Sequence, residues 1–134
     1  MKKNFKNDFI VCGFFGWCIE CFFTGFHSLC HHDKHLTCRT SVWMFPIYGL
    51  AALLEPLSRI LRKQCFLIRG GVYTICIFLT EYLTGCILKK YNACPWDYSY
   101  AKLNYKGVIR LDFAPLWFIT GLLFEKVLKK GERT

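Results

Sequence analysis

Two apolar runs of membrane length, Phe9 to Phe26 and Phe66 to Leu88, each enclose one carboxylate far from either end, Glu20 in the first and Glu81 in the second. A carboxylate at that depth in hydrocarbon is expensive, so it needs a partner, a proton or a function. The 134 residues are 54% hydrophobic and 18% aromatic, more apolar surface than one small soluble core would use. A bilayer resolves that excess. Four stretches are long enough to cross or nearly cross about 30 Å of hydrocarbon: 9–26, 42–61, 66–88 and 113–128. The expected fold is therefore all-α: one integral membrane domain over residues 1–134, a polytopic bundle of four transmembrane helices. A short interfacial or re-entrant helix is expected in the last outer loop.

The 18 Lys and Arg residues give the topology. Lys2, Lys3 and Lys6, then Arg59, Arg62, Lys63 and Arg69, then Lys126, Lys129, Lys130 and Arg133 fall on one side of the four runs. Lys34, Arg39, Lys89, Lys90, Lys102, Lys106 and Arg110 fall on the other. Eleven against seven puts both termini in the cytoplasm by the positive-inside rule. The basic residues flank spans and form no continuous patch, so the net charge of +9 reads as contact with anionic membrane lipid and excludes nucleic acid as a partner. The basic start of the first run has no small-residue cleavage site after Thr24, so it is expected to remain as a span.

The spans carry the first candidate site. Gly13, Gly16, Glu20 and Thr24 recur at helical spacing, so a second helix can approach closely where the acid points, and Trp17 lies one turn before it. Thr74, Phe78, Glu81 and Gly85 form a similar stripe in the third run. Pro46, Gly49 and Pro56 predict a bent or broken second run, which frees carbonyls toward the protein interior. Glu55 with Arg59, and Glu125 with Lys129, read as ordinary i, i+4 salt bridges.

The outer connections carry the rest. If the first helix continues outward, His27, His31 and His35 share one face near Cys30, His32 and Cys38, a donor set suited to zinc or copper. Zinc at His27, His31, His35 and Cys38 is the one cofactor expectation. Of the nine cysteines, Cys12, Cys18, Cys21, Cys76 and Cys86 lie in apolar runs and read as small hydrophobes, while Cys30, Cys38 and Cys94 can form bridges outside. In the last connection, Pro95 to Ser99 reads as a turn that starts a short helix, which Asn104 to Gly107 would stop. Trp96, Tyr98, Tyr100 and Tyr105 suit the bilayer interface. A sharper reading makes Asp97, Asn104 and Arg110 a lid over the buried acids.

Gly16-Trp17-Cys18-Ile19-Glu20, the segment from Arg39 to Gly49 with its Pro46-Ile47-Tyr48-Gly49 element, Thr80-Glu81-Tyr82-Leu83-Thr84-Gly85 and Trp96-Asp97-Tyr98-Ser99 occur in series. With the later stretch from Asn104 to Trp117, this series resembles the CmpB-like family of ABC-transporter type IV membrane proteins. Thr40 and Phe118 stand near positions where many members carry glycine, which marks a divergent branch. The resemblance implies a multi-pass protein of a bacterial plasma membrane. No Gly-x-x-x-x-Gly-Lys-Ser/Thr phosphate loop is present, so ATP hydrolysis would require an ATPase partner subunit. Four short spans are few for a whole pathway, so a homo-oligomer or larger complex is expected. The candidate substrate- or ion-binding residues are Glu20, Glu81, Trp17, Tyr48, Asp97, Tyr98, Asn104 and Arg110.

Three functions are ranked from these residues. First is a permease-like transport subunit for a small solute or cation. Second is a structural or regulatory membrane protein that binds lipid or a partner protein. Last is a lipid-acting enzyme, for which no nucleophile and base occur at a recognisable spacing, so no catalytic residue is assigned.

Overall fold

In a computed structural model, residues 4–133 are described, and they fall into two compact units that divide between Ala52 and Leu53. Lys2 and Lys3, counted above for topology, lie outside the described residues.

The first unit is built on α1 (Phe5–Cys30), which begins at Asn4, whose side-chain oxygen accepts the Lys6 N–H at 3.1 Å. At 26 residues it is about 39 Å long, more than a hydrocarbon core requires. It ends in a Schellman arrangement: His32 takes a left-handed φ of 61°, and the Asp33 N–H reaches back to the Ser28 carbonyl at 2.9 Å. The chain then returns along α1 to α2 (Met44–Gly49), which packs against it.

Glycine makes that approach close. A Cβ on Gly13 would stand 2.8 Å from the Phe45 ring, and one on Gly16 would stand 2.0 Å from Tyr48 Cγ. The reciprocal contact places the Phe9 ring 2.8 Å from a Cβ on Gly49. Glycine is thus used on both helices to bring backbones together. The run 42–61 is not one helix: a 3-10 segment, Leu50–Leu53, follows α2 and leads into α3 (Leu54–Ile60). The break falls between Pro46 and Pro56, just after Gly49.

The second unit holds α3, α4 (Phe66–Lys90) and α5 (Ala114–Arg133). Phe118 fills the space over Gly70, and the Tyr73 side chain lies over Gly121, with Tyr73, Phe124 and Leu128 buried between α4 and α5. Thr74, Thr80 and Thr84 in α4 each donate to the carbonyl four residues back, at 2.8, 2.9 and 2.6 Å, and Thr120 in α5 does the same at 2.8 Å. Each hydroxyl is satisfied within its own helix and asks nothing of lipid. Two helices, α1 and α4, are long and apolar enough to cross a membrane.

The connection between α4 and α5 differs from expectation. Residues 95–107 form no helix. They form part of a small antiparallel hairpin, β1 (Asn104–Tyr105) paired with β2 (Ile109–Arg110), followed by a 3-10 turn at Leu111–Phe113. The reason lies at the tip, where Lys106 and Gly107 both have positive φ, 55° and 71°, a pair that turns a hairpin and cannot continue a helix.

Candidate functional site

Glu20 is two-thirds of the way along α1, on the same stripe as Gly13 and Gly16. Because those glycines admit α2, the Tyr48 side chain reaches across, and its hydroxyl donates to Glu20 Oε1 at 2.8 Å. Trp17 packs against Phe45 with the rings tilted at 59° and 4.8 Å between centroids, and donates its indole N–H to the Ser41 carbonyl at 3.0 Å. Trp17, Glu20 and Tyr48 are thereby brought into one neighbourhood. One phenol occupies only part of a carboxylate, which has about four lone-pair sites, so Glu20 keeps capacity for a proton or a cation.

Glu81 belongs to the second unit, half-buried in α4, with one carboxylate oxygen shielded from solvent. The remaining candidates build the hairpin. Asn104 Oδ1 accepts the Gly107 N–H at 3.0 Å, and its amide donates to the Ala101 carbonyl, so this side chain shapes the tip. The Tyr98 N–H donates to the Gly107 carbonyl at 2.8 Å, and its ring meets Phe113 edge-on. Arg110 donates to both oxygens of Asp112, at 2.8 and 2.9 Å, and lies 4.5 Å from the Phe113 ring centroid. Trp96 donates to the Val108 carbonyl at 3.0 Å, and Val108 covers Gly85 of α4.

Asp97 is exposed and accepts from the Ser99 hydroxyl and amide, which hold its carboxyl below the usual carboxylate range. A carboxylate with a lowered folded pKa contributes fully above its unfolded value, and its contribution is lost as pH falls through the lowered value. The Ser99 amide resonance is therefore expected to shift on acidification with a midpoint below that of an unperturbed aspartate, and Asp97→Asn is expected to remove the shift. A midpoint at or above the ordinary value would refute the turn.

The shared face of His27, His31 and His35 requires the first helix to continue outward past Cys30. The first helix ends at Cys30, so His35 does not continue the face of His27 and His31. Those two rings stack at 4.2 Å, and His31 Nδ1 sits 2.9 Å from the His27 carbonyl oxygen, where it is a donor. Among the described residues, no group of three or more His, Cys, Asp or Glu side chains could hold a metal ion, so His27, His31, His35 and Cys38 are not gathered. Cys38 lies beside α1 instead, its Cβ 3.8 Å from where a Cβ on Gly25 would stand.

One cluster escaped the sequence. Glu125, 4% exposed, accepts from the Tyr73 hydroxyl at 2.5 Å and from Lys129 at 2.7 Å, and forms an ion pair with the Arg69 guanidinium at 3.0 Å. Only the Lys129 contact is local. A hint did exist, since Arg69 and Tyr73 are four apart on α4, just as Glu125 and Lys129 are on α5.

The described residues are a helical protein with two helices long and apolar enough to cross a membrane, one of them packed closely through glycines. The family described as Putative ABC-transporter type IV matches residues 8–132, and the chain belongs to that family. Membership ties the chain to the membrane and to transport. No solved structure matches the chain.

Proposed function

We propose that this chain is the membrane-embedded, permease-like subunit of a transporter for a small solute or cation, and that Glu20 with Tyr48 is its binding element. The observation that carries this is the 2.8 Å bond between them across two helices packed through Gly13 and Gly16. Four spans, 9–26, 42–61, 66–88 and 113–128, cross a bacterial plasma membrane with both termini cytoplasmic. The broken second span supports this reading, since irregular backbone at membrane depth is tolerated where it lines a protein interior or a cavity. Glu81, Asp97, Tyr98, Asn104 and Arg110, all in the second unit, are the further candidate solute- or ion-binding residues of this reading. In this reading the subunit is not an enzyme. It works as a homo-oligomer with an ATPase partner, because the sequence has no phosphate-binding loop.

Native mass spectrometry of the untagged protein, extracted in nanodiscs from its own membrane, tests this. The expected spectrum contains more than one copy of the chain with an ATPase or a bound small solute. A bare chain holding only lipid would replace this reading with a structural or lipid-binding role.

A further inference from the structure

The C-terminal end of α4 meets the hairpin through lysines and tyrosines. Lys89, in the last turn of α4, donates to the Lys106 carbonyl at 3.0 Å, which pins the hairpin tip to the helix. From that tip the Lys106 side chain turns back to Tyr82. Its ammonium lies 3.4 Å from the Tyr82 hydroxyl and 5.8 and 5.6 Å from the ring centroids of Tyr82 and Tyr105, which stand 5.9 Å apart. Ring faces attract a cation at that distance. Lys106 holds this position with a backbone φ of 55°, which asparagine or glycine adopts at lower cost, so the turn alone does not explain the lysine.

Lys106 differs from its cationic neighbours in what holds it. Arg110 donates to both oxygens of Asp112, and Lys89 lies 3.8 Å from Asp97. Among the described residues, Lys106 is held by neutral rings and a phenol and by no carboxylate, so its charge is positioned without being neutralised. The helix surface beside it is apolar. Tyr82 shares a stripe of α4 with Ile75 and Leu79, which are 68% and 57% exposed, and it stands about 9 Å before Leu88, where the apolar run ends. With α4 across a bilayer, that stripe faces acyl chains, and the ammonium lies at or below the level of the headgroups. A charge at that depth needs an anionic partner.

We propose that Lys106, Tyr82 and Tyr105 form a seat for the phosphate of an anionic phospholipid, with one acyl chain lying along Leu79 and Ile75. The Tyr82 hydroxyl accepts from Lys106 and keeps its own proton to donate, so the ammonium and the phenol can bind one phosphate together. A zwitterionic headgroup offsets its phosphate with its own cation and fits the seat less well. The seat lies wholly within the second unit and requires only that α4 lie in a bilayer, whatever Glu20 does.

Native mass spectrometry of the full-length protein, released from nanodiscs of phosphatidylglycerol and phosphatidylcholine in equal amounts, tests this. The wild type is expected to retain phosphatidylglycerol in preference. Lys106→Met should reduce that preference by more than about fivefold, the weight of one basic residue that merely lies near an anionic surface. Lys106→Arg should keep most of it. Lys102→Met removes an exposed charge from the same loop and should cost no more than about fivefold. Tyr82→Phe keeps the ring against Tyr105 and should also weaken retention, which gives the same readout if circular dichroism shows Lys106→Met unfolded. Equal losses for Lys106→Met and Lys102→Met would mean general surface attraction and overturn the seat, as would equal retention of the two lipids by the wild type. Release of the lipid by excess inorganic phosphate would mean that the acyl chain contributes nothing, and would overturn the assignment to phospholipid.

Discussion

Glu125→Ala is expected to destabilise the pairing of α4 with α5 by about 3–5 kcal/mol, the usual penalty for removing one partner of a buried ion pair. The substitution removes at once the hydrogen-bond acceptor of Tyr73 and Lys129 and the ion-pair partner of Arg69. Their losses are unequal. Lys129 is 41% exposed and returns to water, so its bond contributes little. The Arg69 side chain is 21% exposed and would retain a largely desolvated charge, while the buried Tyr73 hydroxyl would lose its partner. Lys129→Met should therefore change stability by less than about 1 kcal/mol. Glu125→Gln should fall between, since an amide oxygen can accept from Tyr73 but cannot neutralise Arg69. Equilibrium unfolding in mixed micelles, followed by helical circular dichroism, gives the order. Equal midpoints for Glu125→Ala and Lys129→Met would show that the cluster does not hold the helices.

That cluster also marks where the sequence stops being legible. Local periodicity placed Gly13, Gly16 and Glu20 on one stripe of α1, and the glycines do admit Phe45 and Tyr48. Pro46, Gly49 and Pro56 announced the interruption of the second apolar run, and a 3-10 segment stands there. These features are carried by residues within a few turns of one another. The Tyr73 to Glu125 bond joins residues 52 apart, and no local spacing encodes it. Pairs such as Glu125 and Lys129 look the same in sequence whether they sit in water or under a neighbouring helix.

The hairpin and the helix terminus failed for a different reason. Both depend on single residues taking left-handed backbone angles, Lys106 beside Gly107 at the hairpin tip and His32 after α1. Lysine gives little warning of that conformation, and Gly107 reads in sequence as a helix stop as readily as a hairpin tip. The same stop at Cys30 removed the basis for a histidine face. It also turned the chain back along α1, which set Cys38 beside Gly25.

Glu20→Gln is expected to reduce transport to background while leaving the protein folded, and the chemistry of the pair explains why the two effects separate. Glutamine has nearly the volume of glutamate and keeps a carbonyl oxygen for the Tyr48 hydroxyl, so the packing of α2 on Gly13 and Gly16 is undisturbed. It cannot carry a negative charge or take up a proton at physiological pH. Losing the charged partner of a desolvated cation typically costs about 2–5 kcal/mol, or about thirtyfold and more in affinity. Tyr48→Phe should be milder, because the carboxylate survives and the ring still fills the space over Gly16, leaving a loss of about 1 kcal/mol. Glu81→Gln should abolish transport as Glu20→Gln does if both acids serve the solute path. Uptake into liposomes of the solute that co-purifies with the wild-type protein reads all three variants. Wild-type rates for Glu20→Gln and Glu81→Gln would reduce both acids to helix-packing residues and favour a structural or regulatory role. Loss at Glu20 alone would confine the solute's contact to the α1 and α2 pair.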